Sequence, residues 1–214
     1  MKTWRIATGV VLLLIVGMVH AQGLMISRYV EGEHYLAAKQ PIDQPDDGKI
    51  HVTEFFLYSC PHCYHLEADL ETWRDQLGDD VEFSRVPVLF SAGGEPYARL
   101  YYTAEKLGVL EQVHDKIFAA IHEQGRRLLS ESAMRDFMVD QGVDGDRFAE
   151  VYESDEITQK VRQAAQAMQA FPVTATPSIT VAGRYYVTGR TAGSNDRMLE
   201  VADYLISQQR SARP

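Results

Sequence analysis

The stretch FFLYSCPHCYHLE, residues 55–67, contains both cysteines of this 214-residue chain, with two residues between them. The apolar run from His51 to Tyr58 is typical of a strand buried on both faces. Beyond the cysteines, apolar residues recur at helical intervals, Pro61 suits a first helical turn, and Gly78 suits a helix end. Those apolar residues are Leu66, Leu70, Trp73 and Leu77. The sequence therefore predicts that Cys60 lies where a strand passes into a helix.

The N-terminus has the pattern of a cleaved secretory signal. Lys2 and Arg5 precede an apolar run from about Ile6 to Val19, and small residues near Ala21 suit a signal peptidase. A membrane anchor is the alternative, but a spanning helix needs about 20 apolar residues and this run is shorter. We therefore expect residues 1–21 to be a signal peptide that is removed on export.

Composition and motifs narrow the possible functions. With 45% hydrophobic residues the chain has enough apolar side chains for a sizeable core. Its formal net charge of -9 repels nucleic acid and anionic lipid, and the chain has no basic run, so we expect no nucleic-acid partner. The motifs of nucleotide-binding loops, serine-hydrolase elbows and zinc proteases are missing from the sequence.

Two cysteines this close have three possible uses. A structural disulfide would enclose so short a loop that it would restrain the unfolded chain very little. A zinc site would need two further ligands, and the candidate histidines lack the usual spacing. Those candidates are His51, His62, His65, His114 and His122. The favoured use is a dithiol that cycles between reduced and oxidised forms.

The predicted helix assigns different roles to the two sulfurs. Cys60 would lie over the helix N-terminus, where free N–H groups and the helix dipole stabilise a thiolate. Cys63, one turn further in, should be more buried and remain a thiol. Because the thiolate is the nucleophile, Cys60 is expected to attack and Cys63 to resolve. The imidazole of His62 would lower the pKa of Cys60 further, which favours the reduced form and makes the disulfide a stronger oxidant.

This CPHC segment at a strand-to-helix junction, in an exported chain of this length, resembles the DsbA family, the thioredoxin-fold thiol oxidases of the bacterial periplasm. The resemblance adds three residues to the site. Glu54, six residues before the first cysteine, and Glu67, seven after it, match acids of the family. Arg85, in the strand-like run from Val81 to Val88, matches a buried basic partner. We expect these three residues to tune the cysteine pKa values, although Glu67 and Arg85 also fit ordinary surface charge.

A second family mark is Thr176-Pro177-Ser178, which precedes two strand-like segments, 179–181 and 184–187. The resemblance implies a cis bond before Pro177 and places this proline against the cysteine pair. The backbone of Thr176 would then bind an extended substrate peptide. Ala175 departs from the pattern, because relatives often have glycine there.

Between these two marks the sequence changes to helical periodicity. Ser130 suits a helix cap, Asp146 suits the start of another short helix, and Ser194 suits the cap of a closing helix. The expected fold class is therefore α/β, a thioredoxin-like fold interrupted by an inserted all-helical domain. We predict thioredoxin-like parts at 22–94 and 172–214 and the helical domain at 95–171.

The sequence and the resemblance together predict a periplasmic dithiol oxidase. It would donate the Cys60–Cys63 disulfide to reduced exported proteins and need no cofactor beyond that disulfide. The resemblance implies reoxidation by a quinone-linked membrane oxidase of the DsbB type, and the chain is expected to be a monomer. A disulfide isomerase or reductase on the same fold is the nearest alternative. A metal carrier that uses both cysteines with His62 or His65 is a more distant one.

Overall fold

The computed structural model describes residues 28–38, 40–91, 93–171 and 173–212. The predicted signal peptide, residues 1–21, lies outside the described residues. Within the described ranges, no helix is both long enough and apolar enough to cross a membrane.

A mixed sheet of five strands forms the centre of the described chain, in the order β1-β5-β4-β2-β3. Only β2 and β3 pair in parallel, and β2–β4, β4–β5 and β1–β5 are antiparallel. The strands are β1 Leu36–Ala37, β2 Ile50–Phe56, β3 Val81–Pro87, β4 Ser178–Val181 and β5 Tyr185–Thr188. Since β2 lies between β4 and β3, the segment that follows it leaves from an interior strand of the sheet.

The junction after β2 differs in detail from the expectation. The strand ends at Phe56, two residues early, because the chain turns and the Cys60 N–H donates to the Leu57 carbonyl. Helix α1, Pro61–Arg74, also ends before the predicted stop at Gly78. Turns between Asp75 and Asp80 reverse the chain there, which lets β3 run parallel to β2.

Five consecutive helices separate β3 from β4, which agrees with the predicted helical middle of the chain. They are α2 Gly94–Lys106, α3 Leu110–His122, α4 Glu131–Asp140, α5 Gly145–Tyr152 and α6 Asp155–Ala170. Ser130 caps α4 as predicted, its Oγ accepting from the Ala133 N–H. The short helix expected at Asp146 is α5, which has Asp146 in its first turn, but its cap is Asp144, which accepts from the Arg147 N–H at 2.7 Å.

The chain closes with α7 Gly189–Ala192 and α8 Asn195–Ala212. Ser194 lies just before α8, and its Oγ accepts from the Arg197 N–H as expected of a cap. Two apolar clusters hold the described elements together. One joins α1 and α8 to the sheet, for example through Leu70, Val52 and Leu205. The other joins the sheet to the five helices, and its members include Phe56, Tyr58 and Phe118.

Candidate active site

Cys60 is the residue immediately before the first turn of α1 and has an extended backbone. Its sulfur therefore lies near the free N–H groups at the helix N-terminus, and the backbone N–H groups of Cys63 and His62 contribute to lowering the pKa of the thiol. Cys60 is partly exposed, whereas Cys63 is fully buried. Both cysteines are free thiols in the structure.

The two sulfurs have very different proton affinities. The hydrogen bond from the Cys63 thiol has the largest effect on Cys60, and together with the Thr176 side chain and the backbone N–H groups of Cys63 and His62 it lowers the pKa of Cys60 to about 5, against the opposing effect of burial. Burial has the largest effect on Cys63 and, with the hydrogen bond to Cys60, raises the pKa of Cys63 well above the usual thiol value. Near neutral pH the pair is therefore a Cys60 thiolate beside a Cys63 thiol.

Thr176, the residue before Pro177, lies directly against Cys60. The Thr176–Pro177 bond is cis, and the Thr176 carbonyl oxygen lies 3.4 Å from Cys60 Sγ, where it accepts the thiol hydrogen of the protonated form. An open groove of about 510 Å³ begins here. Its lining residues are His62, Ala175, Thr176, Pro177, Thr188, Gly189, Arg190, Ser194 and Asn195.

His62 lies in the first turn of α1 with an exposed side chain. The contribution to Cys60 that the structure shows comes from its backbone N–H, and the role of its imidazole remains a prediction. The His62 carbonyl accepts a hydrogen bond from Asn195 Nδ2 at 3.2 Å. This bond joins the start of α8 to the first turn of α1, a link that no pattern in the sequence indicates.

Behind the sulfur pair, Glu54, Glu67 and Arg85 form one buried cluster, with exposures of 1%, 5% and 9%. Arg85 Nε donates to Glu54 Oε2 at 3.0 Å, and Arg85 Nη2 donates to Glu67 Oε1 at 2.8 Å. The same nitrogen also bonds to Glu71. The structure therefore brings together the three residues that the resemblance singled out, and ordinary surface charge is excluded for them.

The two buried acids titrate in opposite directions. Burial raises the pKa of Glu54 to about 8, because the charge of Arg85 offsets only part of the cost of desolvation and the charge of Glu67 adds to it. Burial acts in the same direction on Glu67, but the contact with His114 and the charge of Arg85 outweigh it and hold the Glu67 pKa below its usual value. Glu54 also acts electrostatically on Cys63, which connects the cluster to the sulfur pair.

Sequence reasoning missed the place of His114 in this buried region. His114 on α3 is buried, with Nδ1 2.7 Å from the Tyr58 hydroxyl and Nε2 3.4 Å from Glu67 Oε1. A signal was present, because position 114 falls on the same helical stripe as Leu110 and Ile117. A histidine on an apolar stripe is a polar group that needs buried partners. From the sequence, His114 was considered only as a candidate zinc ligand.

The histidines do not gather into a metal site. In the part of the chain that the structure describes, no group of three or more His, Cys, Asp or Glu side chains is placed to hold a metal ion. The geometry instead defines a class of protein: a thioredoxin-like thiol:disulfide oxidoreductase, with an activated cysteine at a helix N-terminus and a buried partner cysteine.

Comparison with known proteins gives the family. A family model described as a DSBA-like thioredoxin domain matches residues 65–205. The thiol:disulfide interchange protein DsbA of Pseudomonas aeruginosa is 35% identical over 184 residues, which cover 86% of this chain and 87% of the relative. The protein of the same name from Azotobacter vinelandii is 38% identical over 186 residues, 87% and 84% of the two chains. The chain belongs to the DSBA-like thioredoxin family.

Solved structures agree with this assignment. The crystal structure of Pseudomonas aeruginosa DsbA superposes with a TM-score of 0.83 at 35% identity, covering 86% of this chain and 96% of that one. The oxidoreductase DsbA from Xylella fastidiosa gives a TM-score of 0.79 at 36% identity, covering 86% and 98%. The expected fold class, a thioredoxin-like fold with helices inserted between β3 and β4, is therefore confirmed.

Proposed function

We propose that this chain is a periplasmic dithiol oxidase that donates the Cys60–Cys63 disulfide to reduced exported proteins. The observation that carries the proposal is the asymmetry of the sulfur pair: a partly exposed Cys60 with a pKa of about 5 lies against a buried Cys63 with a raised pKa. A strongly stabilised Cys60 thiolate favours the reduced form, so the disulfide is readily given away.

The reaction proceeds through two exchanges. A substrate thiolate attacks Cys60 Sγ in the oxidised protein, the Cys60–Cys63 bond breaks, and Cys63 leaves with the electron pair and takes up a proton. The second substrate thiolate then attacks the substrate sulfur bound to Cys60, which forms the substrate disulfide and releases Cys60 as a thiolate. The low pKa of Cys60 speeds this last step, because a thiol of lower pKa is a better leaving group.

The groove beside Pro177 is the proposed substrate site. An extended peptide there would meet the backbone of Thr176, and exposed backbone groups of this kind bind peptides by adding a strand. The 3.4 Å separation between Cys60 Sγ and the Thr176 carbonyl supports this placement, because a peptide bound at Thr176 would lie next to the reacting sulfur. Pro61 fixes the first turn of α1 beside it.

We assign tuning roles to four charged or titratable residues. The imidazole of His62, exposed beside the sulfur pair, would add positive charge when protonated and favour the thiolate. Glu54, Glu67 and Arg85 would determine the net charge of the buried cluster that acts on Cys63. Their contacts of 3.0 Å and 2.8 Å support the assignment, because charges held at fixed positions in a buried region interact strongly.

Family membership and the N-terminal pattern support the remaining assignments. The proposed location is the periplasm after removal of residues 1–21, and the proposed domains are 22–94, 95–171 and 172–214. A quinone-linked membrane oxidase of the DsbB type would restore the disulfide. The chain would work as a monomer, with the redox-active disulfide in place of a cofactor.

The test is the equilibrium of the cysteine pair with a glutathione buffer. A strong oxidant will stay reduced in buffers that leave thioredoxin oxidised, and Cys60→Ala will abolish oxidation of a reduced test peptide. An equilibrium as reducing as that of thioredoxin would assign the chain as a reductase instead. Full oxidation by Cys60→Ala would refute the mechanism.

A further inference from the structure

His114 is a buried titratable side chain that the proposed reaction does not use. It lies on α3, in the helical segment, and is 5% exposed. Its ring packs edge-on against Phe56 and Phe118, with centroids 5.4 and 5.3 Å away. An apolar side chain would fill this aromatic space without the cost of burying a polar ring. The polar atoms of His114 therefore need an explanation.

Both ring nitrogens face polar partners. Nδ1 lies 2.7 Å from the Tyr58 hydroxyl, and Nε2 lies 3.4 Å from Glu67 Oε1. An ionised carboxylate can only accept, so Nε2 must carry a hydrogen. In the neutral ring Nδ1 then accepts from the Tyr58 O–H, and this single tautomer suits both neighbours. The 3.4 Å separation is long for a hydrogen bond, so the contact with Glu67 is mainly electrostatic.

The groups around His114 come from several elements. Tyr58 precedes α1, Glu67 lies on α1, and Tyr101 on α2 has its ring 6.0 Å away. Burial raises the pKa of both tyrosines, so neither is charged near neutral pH. Among these neighbours only Glu67 carries a charge.

A set of contacts connects His114 with Glu54, and Glu54 acts electrostatically on Cys63. Glu67 Oε1, which faces His114, also accepts from Arg85 Nη2 at 2.8 Å. Arg85 bonds to Glu54 through Nε, and Glu54 acts on Cys63. A change at His114 can therefore influence the cysteines through Glu67, Arg85 and Glu54, three buried ionisable groups that interact strongly because water is largely excluded.

We propose that His114 is a positioning residue of the disulfide reaction, which holds Glu67 as the ionised partner of Arg85 so that Glu54 beside the sulfur pair keeps its proton. The inference rests on the proposed function and adds a residue from the helical segment to its site. Without His114, the ionised form of the buried Glu67 loses a stabilising contact. Glu67 then competes better with Glu54 for the proton that Glu54 otherwise holds. Glu54 then ionises beside Arg85, and its negative charge disfavours the Cys60 thiolate.

The test measures the reaction of the oxidised protein with two glutathione thiols, which yields the reduced protein and glutathione disulfide. His114→Leu should shift this equilibrium at least about threefold against the reduced protein. His114→Gln places an amide nitrogen near the position of Nε2 and should stay within about twofold of the wild type. Ile117→Val, a buried change on the same helix without polar atoms, should also leave the equilibrium unchanged.

A double-mutant cycle tests the route through Glu67. In Glu67→Gln the side chain at 67 is already uncharged, so adding His114→Leu should change the equilibrium by less than about twofold. Equal effects of His114→Leu with and without Glu67→Gln would show that His114 acts independently, and would overturn the proposal. If His114→Leu does not fold, His114→Asn replaces it, because its amide lies near the position of Nδ1 and loses the contact with Glu67.

The outcomes separate the two proposals. A wild-type protein that shows no disulfide equilibrium with glutathione would overturn the proposed function, and this inference with it. A wild-type protein that equilibrates, beside a folded His114→Leu or His114→Asn with an unchanged equilibrium constant, would overturn the role of His114 alone. The apparent pKa of Cys60 in His114→Leu provides a second readout, and we expect it to rise.

Discussion

Glu54 and Arg85 are direct neighbours across the parallel strands β2 and β3, and Arg85 Nε donates to Glu54 Oε2 at 3.0 Å. Both side chains are buried. Neutralising one partner of a buried pair changes the free energy of folding by several kilocalories per mole only when the other charge is left uncompensated. Here Arg85 keeps Glu67 and Glu71 as partners, so Glu54 can be changed without leaving Arg85 unpaired.

Glu54→Gln should change how stability depends on pH. Burial raises the pKa of Glu54 from 4.5 to about 8, so the folded protein holds a proton that the unfolded chain releases above about pH 4.5. The contribution of Glu54 to wild-type stability therefore falls as pH rises from about 4.5 to about 8. Glu54→Gln lacks this fall and should be more stable than the wild type by about 1–3 kcal/mol near pH 8, and by less near pH 5.

Urea unfolding of the oxidised forms at several pH values measures this difference. Glu82→Gln is the matched control, because Glu82, exposed at the start of β3, pairs with Lys49 just before β2. That pair should contribute less than about 1 kcal/mol and show no such trend. A stability difference between Glu54→Gln and the wild type that is constant with pH would contradict the raised pKa.

The hydrogen bond from Cys63 gives the second prediction. It has the largest effect on the Cys60 thiolate, so Cys63→Ala should raise the Cys60 pKa clearly above about 5. Cys63→Ser keeps a donor at the same place and should raise it less. The ultraviolet absorbance of the thiolate, followed from acid to neutral pH, measures both values. Equal pKa values in the two variants would mean that the helix N-terminus alone stabilises the thiolate.

The Cys60 thiolate also predicts how the reduced and oxidised proteins differ in stability. The pKa of Cys60 is lowered from 9.0 to about 5 in the fold, so the stabilisation it brings is present at high pH and lost as pH falls towards about 5. The oxidised protein has no such group. From about pH 8 to about pH 4, the reduced protein should therefore lose stability relative to the oxidised one.

Unfolding of both forms across this range tests the linkage. The measurement stays below about pH 8, because the raised pKa of Cys63 has the opposite effect in more alkaline solution. Parallel stability curves for the two forms would contradict the thiolate in the folded reduced protein. Cys60→Ser, which can neither form the disulfide nor ionise in this range, is the control, and its stability should follow pH as the oxidised protein does and not as the reduced wild type does.

Asn195 gives the fourth prediction. Its side chain donates to the His62 carbonyl at 3.2 Å and joins α8 to the first turn of α1. Asn195→Ala should cost about 0.5–1.5 kcal/mol of stability and slow mixed-disulfide formation with a reduced peptide, because the first turn of α1 is held less firmly. Asn195→Asp has nearly the same shape but lacks the donor, so it should behave like the alanine variant. If Asn195→Asp keeps the wild-type rate, the hydrogen bond does not position the first turn of α1.

Much of this site can be predicted from local sequence. The spacing Cys60-Pro61-His62-Cys63 between an apolar strand and a periodic helix indicates a sulfur at a helix N-terminus, and the structure has that junction. The exact ends of β2 and α1 were wrong by a few residues, because turns between elements depend on where the next element packs. The asymmetric burial of the two cysteines follows from helical geometry, since position 63 lies one turn further in.

The rest depends on contacts between distant parts of the chain. Cys60 and Thr176 are 116 residues apart, and Tyr58 and His114 are 56 apart. Local propensity carries no information about such pairs, because they form only when the sheet register and helix packing are fixed. The sequence by itself determined the dithiol, the helix that activates it and the helical interruption of the fold. The tertiary structure decided the direction in which each buried acid titrates, because burial and neighbouring charges, both products of packing, determine the cost of ionisation.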